Sequence, residues 1–330
     1  MTPVFASPPL VLFVAFPGMG LLDLTGPQTV FWCAAKRMTE RGLAPYERYT
    51  VSVDGGLVTT AEGVALDTLP AAQFAGRAID TILVPGAPGI AAVLADVGTT
   101  VDWIAAAAPR ARRVTSVCTG AFLLAQGGLL DGRRVATHWN MADVLEQRFP
   151  ALDVDREAIY VRQDPVWTSA GVTAGIDLAL ALVEEDCGRA LAMDVARELV
   201  VYMKRAGGQA QHSELLRAQT RDDAAFDALH GWILDNLHDS GLTVERLAAQ
   251  AHMSARNFAR VYKDRTGCSP GKALERFRMG AARRMLEQSE ANLAQIARQC
   301  GFGDEDRMCG AFRRNLGETP SAYRKRVAGA

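Results

Sequence analysis

The chain carries an unbroken apolar run at 11–16, and short apolar runs return at 49–53, 81–84, 113–117, 134–136 and 166–168. They lack polar alternation, which predicts strands of a parallel sheet covered on both faces. Stretches with helical spacing of apolar residues fall at 26–41, 90–107, 120–127, 141–149 and 175–187. Strand then helix, repeated, predicts an α/β fold with a doubly wound sheet. A further stripe, Met193, Ala196, Leu199, Val200 and Met203, predicts a helix over 190–206. Glycine and polar residues over 207–223 then read as a linker. The expected division is thus a first domain at 1–206, the linker at 207–223 and a second domain at 224–330.

The second domain repeats itself with an offset near 50. Leu247-Ala248-Ala249-Gln250-Ala251 matches Ile296-Ala297-Arg298-Gln299-Cys300, and after the inserted Gly303, Ser254 matches Asp304. Phe258 and Tyr262 match Met308 and Phe312, and Gly267 and Pro270 match Gly317 and Pro320. Each copy predicts a short helix, a tight turn and a second helix capped by Ser254 or Asp304. The domain therefore reads as all-α with two helix-turn-helix motifs.

Charge separates the two parts. Residues 1–210 carry 17 basic and 22 acidic residues, whereas residues 241–330 carry 17 and 9, a net +8. Only the C-terminal part suits a polyanion, and the same excess reads equally as a solvated basic surface. At 330 residues, 49% hydrophobic and 22% charged, the chain is neither disordered nor a disulfide-stapled miniprotein. No apolar run approaches the roughly 20 residues that span a bilayer. The 10–16 run has no basic flank before it, so it reads as a strand and not as an export signal. Cytoplasm is the expected location, with no membrane partner. The six cysteines form no CxxC pair and no metal-ligand spacing, so neither metal nor cofactor is expected.

Open parallel sheets place ligands beyond their strand C-termini. The tips there are 18–23, 85–89, 118–120 and 138–139. Gly18-Met19-Gly20 is half a dinucleotide fingerprint and lacks the third glycine. Cys118 lies on the turn between a strand and a helix, the position of a nucleophile elbow. A helix N-terminus there would lower the thiol pKa and make Cys118 the most reactive cysteine, with Cys309 its competitor. The alternative is a small buried side chain. His138-Trp139 reads equally as packing, with Trp139 in the core and His138 as a helix cap.

The stretches Leu22–Pro27, Ser116–Ala125, Gly128–Arg133, Ala136–Trp139 and Thr168–Asp177 resemble the PfpI-like, class I glutamine-amidotransferase-like superfamily. Within it they are similar to GlxA-type regulators and isonitrile hydratase. The resemblance implies a flavodoxin-like sheet over roughly 10–190. It pairs the elbow cysteine with an acid, here Asp23, and makes Asp23, Gly86, Cys118, Thr119, His138 and Thr173 the candidate pocket. The backbone at Gly86 is then a candidate oxyanion donor. Thr119 stands where peptidase-like members have histidine, so a Cys–His hydrolase lacks its base. The Asp23–Cys118–Thr119 set matches the isonitrile hydratase pattern, which keeps a hydration or lyase activity open beside a ligand pocket that retains the elbow.

Residues from about 228 to 327 resemble the AraC-type DNA-binding domain, through Met253–Arg260, Thr266-Gly267, Arg283–Leu286, Cys300-Gly301-Phe302 and Pro320–Arg324. This implies two recognition helices entering successive major grooves about 34 Å apart. Candidate DNA contacts are Arg256, Asn257, Arg260, Lys263, Arg307, Arg313 and Arg314. Gly310 replaces the repeat partner of Arg260, and Asp304-Glu305-Asp306 repel phosphate, so the first copy should dominate readout. The expectation is a promoter-binding regulator that answers a small, nitrogenous effector and dimerises through its N-terminal domain. The alternative is a Cys-dependent hydratase or lyase with an appended DNA-binding module.

Overall fold

The computed structural model describes residues 8–201, 207, 211 and 226–328. The chain divides into two compact units, residues 1–211 and 212–330.

The first unit begins with β1 (Leu10–Val14), α1 (Leu21–Glu40), β2 (Glu47–Ser52), β3 (Gly56–Thr59), β4 (Ala65–Pro70) and β5 (Ile79–Val84). Helices α2 (Ile90–Asp96) and α3 (Gly98–Ala107), strand β6 (Ala111–Val117) and helix α4 (Gly120–Gln126) follow. Then come β7 (Arg134–Ala136), α5 (Ala142–Arg148), β8 (Asp153–Asp155), β9 (Tyr160–Gln163), β10 (Val166–Ser169), α6 (Thr173–Cys187) and α7 (Arg189–Glu198). The main sheet runs β3-β4-β2-β1-β5-β6-β10-β9, and β7 and β8 form a separate parallel pair. All neighbours in the main sheet are parallel except the outer pairs β3–β4 and β10–β9. β1, between β2 and β5, is buried throughout. The doubly wound α/β expectation is met.

Three differences have local causes. The hairpin β3–β4 was not expected, because its side chains are largely exposed and carry no apolar rhythm. The expected helix 90–107 is two helices broken at Val97, where Gly98-Thr99-Thr100 favours helix poorly. α1 starts five residues before the expected 26, so Pro27 lies inside it and Asp23 falls in its first turn. Of the expected linker only Gly207 and Gln211 belong to the described residues, and both are hydrogen-bonded to the first unit.

Opposite the strand tips, a charged cluster is buried. Arg113 on β6 is 3% exposed and Asp186 at the end of α6 is fully covered. Arg113 Nη1 donates to Asp186 at 3.0 Å, and Tyr46 and Arg112 bond the same carboxylate at 2.7 Å each. A buried carboxylate is tolerated because these donors replace its water.

The second unit contains α8 (Asp227–Asp235), α9 (Val244–Gln250), α10 (Ala255–Thr266), α11 (Pro270–Gln288), α12 (Leu293–Gln299), α13 (Glu305–Leu316) and α14 (Pro320–Ala328). The repeat is real in space. Phe258 and Tyr262 fill one apolar core, Met308 and Phe312 a second, and α11 supplies Phe277 to the first and Met279 to the second. Ser254 and Asp304 cap α10 and α13, and Gly267 and Gly317 end them in left-handed conformation. The turn before each recognition helix also has positive φ, at His252 and Gly301. Glycine is required at 301, since a Cβ there would lie 2.0 Å from the Leu237 carbonyl oxygen.

Removing Asp186 takes the deepest carboxylate from Arg113 but leaves it Glu185 at 3.1 Å and Asp80 at 3.5 Å, and it takes a partner from Tyr46 and Arg112. Asp186→Ala is therefore expected to lower stability by about 1–3 kcal/mol, measured as a loss in urea midpoint. A loss below about 0.5 kcal/mol would show that Glu185 and Asp80 suffice for the guanidinium.

Candidate functional site

The candidate site lies at the C-terminal ends of β1, β5, β6 and β10. β6 ends at Val117, α4 starts at Gly120, and Cys118 between them has φ +58. A non-glycine residue in the left-handed region costs roughly 1–3 kcal/mol and persists only where its surroundings impose it. Here the Cys118 N–H is held by the Ser169 and Ala170 carbonyls at 3.1 and 3.2 Å, and its own carbonyl accepts from Thr137 Oγ1 at 2.9 Å. The elbow is thus clamped by β10 on one side and by the residue after β7 on the other.

Asp23, in the first turn of α1, reaches across the cleft. It is 5% exposed. Its Oδ1 accepts from the Val172 N–H at 2.9 Å and its Oδ2 from the Gly86 N–H at 3.2 Å. It also hydrogen-bonds the Cys118 side chain. Val172 has φ +54, so a second strained residue delivers a donor to the same carboxyl. Thr119 Oγ1 accepts from the Ala87 N–H at 2.8 Å and donates to the Ala87 carbonyl at 2.9 Å, which ties the elbow to the loop after β5. The closeness of that loop explains Gly86, where a Cβ would fall 2.6 Å from Thr119 N.

His138 and Cys118 flank Gly171. A Cβ on Gly171 would lie 2.3 Å from His138 Cδ2 and 3.1 Å from Cys118 Sγ. His138 caps the short turn that follows it, with Nδ1 2.5 Å from Asn140 Oδ1. The structure therefore brings Asp23, Gly86, Cys118, Thr119 and His138 together. Thr173 is exposed at the start of α6, and its neighbour Val172 supplies the backbone contact. Trp139 is 51% exposed and is not a core residue. Gly171 and Val172 were not among the candidate pocket residues, although they lie in the Thr168–Asp177 stretch that carries the family resemblance.

Two chemical expectations change. The Gly86 N–H is engaged by Asp23 and is not a free oxyanion donor. The thiol pKa is not lowered: burial and the neighbouring Asp23 charge push Cys118 up to about 12. Burial also raises Asp23. Both Asp23 oxygens accept backbone N–H groups, which favours the ionised carboxyl. The start of α4, seven residues long, does not offset the burial and the Asp23 charge that push the thiol up. Among the described residues no cluster of acids, cysteines and histidines is fit to hold a metal.

In the second unit, Arg256, Asn257, Arg260 and Lys263 are exposed on α10. Arg260 Nη2 donates to Asn257 Oδ1 at 3.0 Å, and Nη1 lies 3.3 Å from Asp264. On α13, Arg307 and Arg313 are exposed, with Arg307 3.3 Å from Asp304. Arg314 is paired with Glu275 of α11 at 2.7 Å. Its Nη1 lies 3.3 Å from where a Cβ on Gly310 would be. The second recognition helix thus has one arginine drawn back onto its own scaffold.

Residues 10–185 match the DJ-1/PfpI family and residues 247–326 a helix-turn-helix domain. The chain is 31% identical over 269 residues to the HTH-type transcriptional regulator Rv1931c of Mycobacterium tuberculosis, covering 77% of this chain and 98% of that one. It is 37% identical over 177 residues to isonitrile hydratase of Pseudomonas putida, covering 53% and 71%. A crystal structure of a THiJ/PfpI family protein from Pseudomonas syringae superposes with TM-score 0.53 at 26% identity, covering 70% and 93%.

A protonated thiol makes a poor nucleophile. At pH 8, iodoacetamide is expected to label Cys118 more slowly than Cys309, with the Cys118 rate climbing as pH rises toward about 12. Asp23→Asn removes the carboxylate and should speed Cys118 labelling. A slower Cys118 in that variant would mean that the proton resides on Asp23.

Proposed function

The chain belongs to the DJ-1/PfpI family and is a DNA-binding transcriptional regulator, and from that premise we propose that its first unit senses a small, nitrogenous metabolite in the Asp23–Cys118 cleft. The observation that carries this reading is the state of the elbow. Its Gly86 donor is engaged by Asp23, Thr119 rather than histidine follows it, and burial beside that carboxyl pushes its thiol pKa up. Such a cleft offers hydrogen bonds and shape in place of a nucleophile. Asp23 presents a negative group to a polar nitrogen, and Thr119 and His138 line the approach. The relatives that are regulators support the reading, as does the basic balance confined to the second unit. We further propose a homodimer formed through the first unit, in the cytoplasm. No single helix among the described residues is long and apolar enough to cross a membrane.

The second reading is hydration of an isonitrile, as in the Pseudomonas putida relative, favoured by the Asp23–Cys118–Thr119 set. A thermal-shift screen of amines, amides and amino acids, run beside a turnover assay with isonitriles, separates the two. Stabilisation without turnover supports the sensor. Turnover abolished by Cys118→Ala overturns it.

For DNA, α10 is proposed to read bases through Arg256 and Arg260, one turn apart. Asn257 and Lys263 flank them. The Arg260–Asp264 contact is exposed and costs little to exchange for a guanine. Arg307 and Arg313 are proposed as weaker contacts, and Arg314 requires release from Glu275. Arg260→Ala is expected to cost about 1–3 kcal/mol and relax one base position, read by competition binding at one salt concentration. If Arg307→Ala destroys specificity while Arg260→Ala leaves it intact, the reading helix is α13.

A further inference from the structure

Gly207 and Gln211, the last described residues of the first unit, are fastened beside the cleft. The Gly207 carbonyl accepts from the Ile159 and Tyr160 N–H groups at 2.8 and 3.3 Å. A Cβ at 207 would fall 2.5 Å from the Tyr160 carbonyl oxygen, so the close approach requires glycine. The Gln211 N–H donates to the Glu157 carbonyl at 2.8 Å.

The Gln211 side chain does more. Its Nε2 donates to the Thr137 carbonyl at 2.9 Å and to those of Ala158 and Arg156 at 3.2 and 3.4 Å. Its Oε1 accepts from the Trp139 N–H at 2.9 Å. One amide thus holds the residue before His138 and the residue after it. Thr137 also bonds the Cys118 carbonyl, and the His138 ring stands over Gly171 beside the Cys118 sulfur. Gln211 is the last residue of the first unit.

We propose that Gln211 is the latch through which the state of the Asp23–Cys118 cleft reaches the DNA-binding unit. A ligand seated against Cys118 displaces the His138 ring. The 137–139 backbone follows, and the two bonds that bracket His138 break or carry Gln211 with them. Both consequences change the tether of the chain entering the second unit, so occupancy and DNA affinity become linked. The proposal rests on the sensor reading above and adds the route by which sensing is communicated. Gln211 is a positioning residue: it lies behind the His138 backbone and needs no contact with the ligand.

The test needs no known effector, because Gly171→Ala places a methyl where an occupant would press on His138. His138→Ala is a second, independent perturbation of the same segment. DNA duplexes are first selected from a random pool by the full-length wild-type chain. Binding is then measured at fixed salt for wild type, Gly171→Ala, His138→Ala and Gln211→Ala, and for each cleft variant combined with Gln211→Ala. Thermal unfolding shows which variants are folded. The expected result is a shift in Kd of about fivefold or more from either cleft variant in the wild-type background, falling below about twofold when Gln211 is alanine. Equal shifts in both backgrounds, or no shift in either, overturn the latch while leaving the regulator reading intact. Failure of the wild-type chain to enrich any sequence overturns the regulator reading itself.

Discussion

The buried pair between Arg113 and Asp186 sets the geometry on which the cleft depends. Arg113 stands near the start of β6 and Asp186 near the end of α6. The other ends of these two elements carry Cys118 and Val172. A seven-residue strand and a fifteen-residue helix are both about 22–23 Å long. Anchoring them at one end therefore brings their other ends level. Asp23 can then accept from Val172 while it bonds Cys118, whose own position is fixed at the cleft by β10 and Thr137. Binding groups placed on rigid elements hold their geometry better than groups on loops.

At the cleft the same economy of partners decides the chemistry. Every strong donor around Asp23 is already engaged, and its charge works against ionising the sulfur that it touches. An elbow of this shape suits a nucleophile only where a base draws the proton away. No histidine follows the cysteine, and His138 approaches from the far side of Gly171 with its Nδ1 turned to Asn140. What is left is a shaped, polar recess with a left-handed residue on either side of it.

The parallel strands were legible because strands covered on both faces leave continuous apolar runs, and the elbow because a strand, a small turn and a helix meet at Cys118. The doubled helix-turn-helix was legible because both copies keep the same caps and core positions. The β3–β4 hairpin left no trace, since its side chains face water. The thiol pKa was misjudged from a local helix argument, although burial raises it first and then Asp23, which is 95 residues away in sequence. Gly86 was placed correctly and its N–H misassigned, because sequence does not reveal that a carboxylate reaches it first. His252 holds a left-handed turn where its counterpart needs glycine, so residue type alone did not mark that turn. Gln211 fell within a stretch that reads as linker, because a polar residue on its own does not announce three carbonyl partners.

In the second unit, α11 belongs to both apolar cores at once. It is 19 residues long, about 28 Å of continuous helix, and each recognition helix is packed against one half of it. A dimeric reader can adjust its half-sites by sliding at a subunit interface; here the spacing is written into one covalent rod. Each base pair added between two half-sites moves the second by about 3.4 Å and about one tenth of a turn. The rod offers no slack to follow that rotation. Where both recognition helices enter DNA, the two grooves must therefore be in helical phase, and binding would depend on the torsional register of the duplex as well as on its bases.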